Sequence, residues 1–220
     1  MATVFITGAN KGIGLELAKQ LHARGDTIHA TCRSSSPELD ALGAHVHSGV
    51  DVREPEAHLK LQQALEGIEL DLIIQNAGIL TPTTLGELDA AAIREQFEVN
   101  ALGPLMLTER LLGNLTQGGK IALISSRMGS IADNTSGSSY GYRMSKAALN
   151  IAGVSLAKDL ESRQIAVTIL HPGYVQTDIT AGRGFITADV AASGLIERID
   201  DLSLESSGHF WHQNGEKLPW

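Results

Sequence analysis

The strongest constraint on this chain lies in its first turn. A short apolar run, Val4–Thr7, leads straight into Thr7-Gly8-Ala9-Asn10-Lys11-Gly12-Ile13-Gly14, and helical spacing of apolar residues follows from Gly14 to Ala23. Glycine in such a turn permits left-handed backbone angles and close approach of the backbone to a neighbour. A helix opening directly after it presents unpaired N–H groups and the positive end of its dipole. Strand, glycine turn and helix together predict a cradle for the pyrophosphate of a dinucleotide. The turn lacks the Gly-Lys-Ser/Thr ending of a nucleoside-triphosphate loop, which excludes that use.

The same alternation of β-branched runs and amphipathic stretches continues to the end of the chain. Further strands are predicted at Thr27–Cys32, His45–Val52, Leu70–Gln75, Lys120–Ser125, Ile165–Leu170 and His209–His212. Helices are predicted at Glu56–Leu65, Glu87–Leu115, Tyr142–Ser162 and Thr187–Asp201, with an irregularity near Gly103-Pro104 because proline removes a backbone donor. Alternation of this kind gives parallel strands joined by right-handed crossovers. The expected fold is a Rossmann-like, doubly wound α/β domain of about seven mainly parallel strands with helices on both faces. No linker or repeat divides residues 1–220, so a single domain is expected. Ligands in such a sheet bind beyond the carboxyl ends of the strands, so chemical residues should follow strands closely.

Composition narrows the partners. Hydrophobic residues make up 43% and charged residues 19%, which suits a globular chain. A net charge of −8 disfavours nucleic acid, whose phosphates it repels. No apolar stretch reaches membrane-spanning length and no leader is read at Met1, so a cytoplasmic protein without membrane contact is expected. Cys32 is the only cysteine and cannot form an internal disulfide. Gly137-Ser138-Ser139-Tyr140-Gly141 has the spacing of a hydrolase nucleophile elbow, but the polar stretch Asp133–Ser136 precedes it where a buried strand is needed. His45-x-His47 and His209-x-x-His212 lack further ligands at a recognised spacing, so no metal is expected.

The second strand selects the dinucleotide. A carboxylate about 20 residues past the glycine turn usually binds the ribose hydroxyls of NAD. Here the strand ends in Thr31-Cys32-Arg33-Ser34, and Arg33 instead suits a 2′-phosphate through a charge-assisted fork. Lys11 offers a second positive charge from the turn. NADP(H) is therefore expected over NAD(H).

Tyr142 and Lys146 lie one helical turn apart on one face. A neighbouring ammonium favours the phenolate, so such a tyrosine can exchange a proton with a carbonyl oxygen near neutral pH. A serine hydroxyl is available at Ser126, just after the fifth strand. Taken in order, these features resemble the short-chain dehydrogenase/reductase family over nearly the whole chain. Thr7–Gly14 resembles its TGxxxGxG fingerprint, Asn76-Ala77-Gly78 its NAG motif, and Pro172-Gly173 with Thr177 its PG motif. Residues 125–150 are most similar to the branch of C-factor-like proteins and sniffer-type carbonyl reductases.

The resemblance implies hydride transfer between NADPH and a carbonyl. Tyr142 would be the general acid, Lys146 would lower its pKa and hold the nicotinamide ribose, Ser126 would orient the carbonyl, and Asn100 would support a proton relay through water. Implied cofactor contacts are Gly8, Asn10, Lys11, Gly12, Ile13, Gly14, Arg33, Asp51, Val52, Asn76, Ala77, Gly78, Tyr142, Lys146, Pro172, Gly173, Val175 and Thr177, with Asp51-Val52 at the adenine. The Ser126–Tyr142 gap is longer than the family's usual one, which leaves Ser125 and Ser130 as alternatives for the serine. Gln75 stands where the family commonly has asparagine. Leu80, Met128, Ile131 and Ile179–Ile186 are expected to wall the substrate pocket. The small apolar residues Ala147, Ala148, Ile151, Ala152 and Leu156 suggest a homodimer or homotetramer through the helices at Glu87–Leu115 and Tyr142–Ser162. The alternative function is a non-catalytic, NADP(H)-binding regulatory protein on the same fold.

Overall fold

A computed structural model describes residues 1–220. Its sheet has seven strands, all parallel, in the order β3-β2-β1-β4-β5-β6-β7. The strands are β1 (Thr3–Thr7), β2 (Thr27–Thr31), β3 (His45–His47), β4 (Leu70–Gln75), β5 (Leu115–Ile124), β6 (Ala166–His171) and β7 (Phe210–His212). The helices are α1 (Gly12–Ala23), α2 (Pro37–Asp40), α3 (Pro55–Ala64), α4 (Ala90–Phe97), α5 (Gly103–Leu111), α6 (Tyr140–Asp159) and α7 (Ala188–Asp200).

Strand alternation divides the core into two layers. Phe5, Ile73, Ile121, Leu123, Val167 and Ile169 face α3, α5 and α6, where Leu61, Leu107, Leu111, Leu149 and Leu156 cover them. Ile6, Leu72, Ile74, Ala122 and Leu170 point the other way, onto Leu17, Leu21, Leu195 and Ile199 of α1 and α7. Strands buried on both faces explain the unbroken apolar runs at Leu72–Ile74 and Ile121–Ile124.

Four local features differ from expectation. The third strand ends at His47, because Gly49 turns the chain at φ +76 and the following residues bond to the end of β2 instead. The helix expected over Glu87–Leu115 is two helices joined by a π turn at Glu98–Leu102. The irregularity therefore precedes Pro104, which sits in the first turn of α5 where its missing N–H costs nothing. Leu115 belongs to β5, whose pairing with β4 slips between Leu70 and Leu72. Finally, α2 was not expected, although Ser36 caps it and Pro37 opens it, the usual start signals.

β1 lies between β2 and β4, so the crossovers leave in opposite directions from β1. The crevice beyond their carboxyl ends is where such a sheet binds ligands.

Candidate active site

The glycine turn closes the bottom of that crevice. Gly8 and Gly12 adopt φ of +66 and +53, which side chains disfavour. A Cβ on Gly14 would overlap the Gly8 carbonyl, so only glycine lets α1 start this close to the turn. The turn is braced from both neighbouring strands. Gly8 N–H donates to the Thr31 carbonyl at 2.8 Å. Asn76 donates its side-chain amide to the Thr7 and Gly8 carbonyls at 3.0 and 3.1 Å. Asn76 therefore shapes the cradle, since both side-chain N–H groups are used within the protein. Gln75, in the family's usual asparagine position, is buried and links Thr7 of β1 to Thr108 of α5.

A cleft of about 710 Å³ runs over the strand ends, within the size range of small-molecule sites. It is bordered by Gly8, Asn10, Lys11, Gly12, Ile13 and Gly14 from the turn, Arg33 from the end of β2, and Asp51 and Val52 after β3. Asn76, Ala77 and Gly78 after β4 border it, as do Ser126, Tyr142 and Lys146, and Pro172, Gly173, Val175 and Thr177 after β6. Asn100 is the one expected site residue away from its wall.

Charge is distributed unevenly along the cleft. Arg33 is exposed at the rim and has no carboxylate within ion-pair distance. Its neighbour Arg53 is tied to Asp51 at 2.6 Å and to Glu95 at 3.0 Å. That pairing holds the Asp51 carboxyl below its ordinary pKa. The Lys11 ammonium, also at the cleft, pairs with Asp178 at 2.6 Å across its mouth. Both partners are exposed, and such surface pairs exchange easily.

At the other end, Ser126 follows β5 and its Oγ accepts a hydrogen bond from Met128 N–H at 3.2 Å. Burial pushes the Tyr142 phenol's pKa up, and the Ser126 hydroxyl facing it opposes that shift more weakly. The alternatives for the serine are occupied elsewhere. Ser125 donates to Asn150 Oδ1 at 2.5 Å, and Ser130 accepts from Asp133 N–H in a turn. Gly129 brings the Ser126 turn onto α6, since a Cβ there would lie 2.7 Å from the Lys146 carbonyl carbon. Nothing in the local sequence signals this contact.

Lys146 is buried at 3% exposure, with Nζ donating to the Ile124 carbonyl at 2.8 Å and lying 5.8 Å from the Tyr142 ring centre. Burial depresses its pKa from 10.5 to about 8. Burial governs both groups, raising the pKa of the Tyr142 phenol and lowering that of the Lys146 ammonium. A base whose folded pKa is depressed binds fewer protons folded than unfolded, so its contribution to stability rises with pH between the two values. Lys146→Met is expected to raise the melting temperature near pH 7, with the gap closing as pH climbs from about 8 towards 10.5. Melting curves across that range check it, and a gap independent of pH would refute the burial argument.

Asn100 lies in the π turn, where the widened backbone is a common feature of functional sites. Its Oδ1 accepts from Ile79 N–H at 2.8 Å, and its amide donates to the Ile79 carbonyl and to Ser145 Oγ. The side chain clamps the segment after Asn76-Ala77-Gly78 and has no N–H left for a ligand. Gly103 supports this placement, because a Cβ there would lie 2.6 Å from the Val52 carbonyl.

The expected pocket walls are reached only in part. Ile179 and Thr180 border the cleft, whereas Leu80 and Met128 are half-buried outside it and Ile131 and Phe185 project into solvent at 83% and 86% exposure. The segment after Thr177 is short, pinned by pairing of Val175 with Ile186. His171, which sequence reading passed over, borders the cleft at the end of β6 against His212.

The sequence profile of the short chain dehydrogenases matches residues 2–184. The chain belongs to the short-chain dehydrogenase family. This short-chain dehydrogenase is similar to the 1-hydroxy-2-glutathionyl-2-methyl-3-butene dehydrogenase of Rhodococcus sp. (strain AD45), with 42% identity over 226 aligned residues spanning 100% of both chains. Its fold matches the carbonyl reductase Sniffer of D. melanogaster with a TM-score of 0.92, 28% identity and 100% coverage of both. It also matches the NADPH-bound carbonyl reductase from chicken fatty liver, with a TM-score of 0.89, 28% identity, and 100% and 99% coverage. No helix is long and apolar enough to cross a membrane.

Proposed function

We propose that this oxidoreductase uses NADPH to reduce a carbonyl group of an aldehyde, ketone or quinone. The observation that carries the reading is the convergence of Ser126, Tyr142 and Lys146 in one cleft with the glycine cradle. The cofactor fits on two grounds: a Cβ on Gly14 would fill the approach to the turn, and Arg33 at the rim has no carboxylate partner. NADPH bound to the chicken carbonyl reductase supports the same choice.

When bound, the nicotinamide supplies a hydride to the carbonyl carbon. Ser126 would orient the carbonyl oxygen and Tyr142 would give its phenolic proton to that oxygen, so an aldehyde or ketone C=O becomes CH–OH and a quinone becomes the hydroquinone. Lys146 would stabilise the phenolate left behind and would hold the nicotinamide ribose. Asn100 acts on this centre by fixing Ile79 and Ser145. Thr177, Pro172, Gly173 and Val175, which border the cleft, would hold the nicotinamide end.

The glutathionyl substrate in the name of the Rhodococcus relative places glutathione conjugates of aldehydes beside simple carbonyls in the test panel. NADPH oxidation is expected with at least one class, and no turnover with any of them would count against reduction. We further propose one catalytic domain over residues 1–220 in the reducing cytoplasm, where the buried thiol of Cys32 needs no partner.

Assembly as a homodimer is also proposed, through an apolar set that shares Ile151 with the expected one. Leu156 belongs to the core, whereas Phe97, Leu102, Met106, Met144 and Ile151 face outward on α4, the π turn, α5 and α6. Static light scattering at micromolar protein is expected to give twice the monomer mass, and a monomer would refute it.

A further inference from the structure

The proton-transfer pair comes from two places that the chain must bring back together. Ser126 lies just after β5, Tyr142 lies in the first turn of α6, and a polar loop separates them. That loop enters the helix through three successive left-handed residues, Gly137, Ser138 and Ser139, with φ of 62, 57 and 51. Glycine adopts this conformation freely, but two serines do not. Strain of this kind persists only where surrounding contacts hold it.

Asn134 Oδ1 accepts from Gly137 N–H at 3.1 Å, and the remaining side-chain contacts come from one residue. Arg143, next to Tyr142, donates its Nε to the carbonyls of Gly137 and Ser138, both at 3.0 Å. Its Nη2 donates to Ser136 Oγ at 2.9 Å, and its Nη1 reaches the Met128 carbonyl at 3.4 Å. Met128 in turn gives its N–H to Ser126 Oγ. No carboxylate pairs with Arg143, so its charge is directed entirely at backbone and hydroxyl oxygens. The planar fork reaches the left-handed run and the Ser126 turn at once, a geometry that a lysine ammonium cannot reproduce.

We infer that Arg143 is a positioning residue that fastens the strained Gly137–Ser139 run to the Ser126 turn and so sets the Ser126–Tyr142 spacing. It does not border the cleft and acts through Tyr142 and Ser126. The inference rests on the carbonyl-reduction reading given above.

The test compares Arg143→Ala and Arg143→Lys with the full-length wild type, using a carbonyl substrate accepted by the latter. Both variants are expected to lose kcat roughly tenfold, because sub-ångström misplacement of reacting groups carries costs of that order. NADPH affinity, measured by fluorescence titration, is expected to stay within about twofold, since the cradle lies on other elements. Guanidinium chloride at low millimolar concentration is expected to restore part of the Arg143→Ala turnover. Arg143→Lys keeps the charge and is expected to melt near the wild type, which separates lost positioning from lost folding. Unchanged kcat in Arg143→Lys, or equal losses in kcat and NADPH affinity, would overturn the inference. An active Tyr142→Phe protein would remove the carbonyl-reduction reading itself, whereas an inactive one beside an unimpaired Arg143→Ala would remove only the role of Arg143.

Discussion

Replacing Tyr142 with phenylalanine is expected to lower turnover by about 10²–10⁴-fold, the range supplied by a positioned general acid. NADPH affinity should change little. The substitution removes one hydroxyl and keeps the ring, so the packing of α6 against the Ser126 turn survives. The lost hydroxyl is the phenol that faces Ser126 in the cleft. Single-turnover measurement with saturating NADPH isolates the effect from binding. The pH dependence has a definite sign: reduction needs the protonated phenol, and burial raises its pKa. The reductive rate in wild type should therefore fall only on the alkaline side, and turnover near the wild-type level in the variant would end the mechanism.

Arg33→Ala is expected to weaken NADPH binding by about 10- to 100-fold, the equivalent of roughly 1.5–3 kcal/mol for hydrogen bonds to a charged group. NADH binding should be nearly unaffected. The asymmetry follows from the rim of the cleft. Arg53 is already committed to Asp51 and Glu95, and Lys11 to Asp178, leaving Arg33 as the cation there with no acidic partner. Titration of both cofactors against both proteins checks this. Parallel losses for NADPH and NADH would mean that Arg33 shapes the adenosine pocket and does not read the phosphate. Retained NADPH affinity would shift the phosphate contact to Lys11, at the expense of its pair with Asp178.

Much of this architecture is legible in the sequence because it is local. The glycine turn needs only neighbouring residues to state its conformation, and Tyr142 and Lys146 share a helix face through spacing alone. Helix and strand periods place the alternation of elements within a few residues. Misplaced boundaries fall where local and non-local preferences compete. Leu115 carries a helix-compatible pattern but pairs with Leu70 across the sheet. The π turn at Glu98–Leu102 has no period of its own to reveal it.

The sequence alone thus determined the fold class, the cradle and the residue types of the reaction, since each is written in short-range spacing. Tertiary structure alone decided which of three serines faces the phenol, because Ser125 is claimed by Asn150 and Ser130 by its own turn. It likewise shows Asn76 and Asn100 bracing backbone segments beside the cleft, and Lys11 in an ion pair with Asp178. Hydrogen-bond partners far apart in the chain compete for the same side chains, and only the folded distances settle that competition.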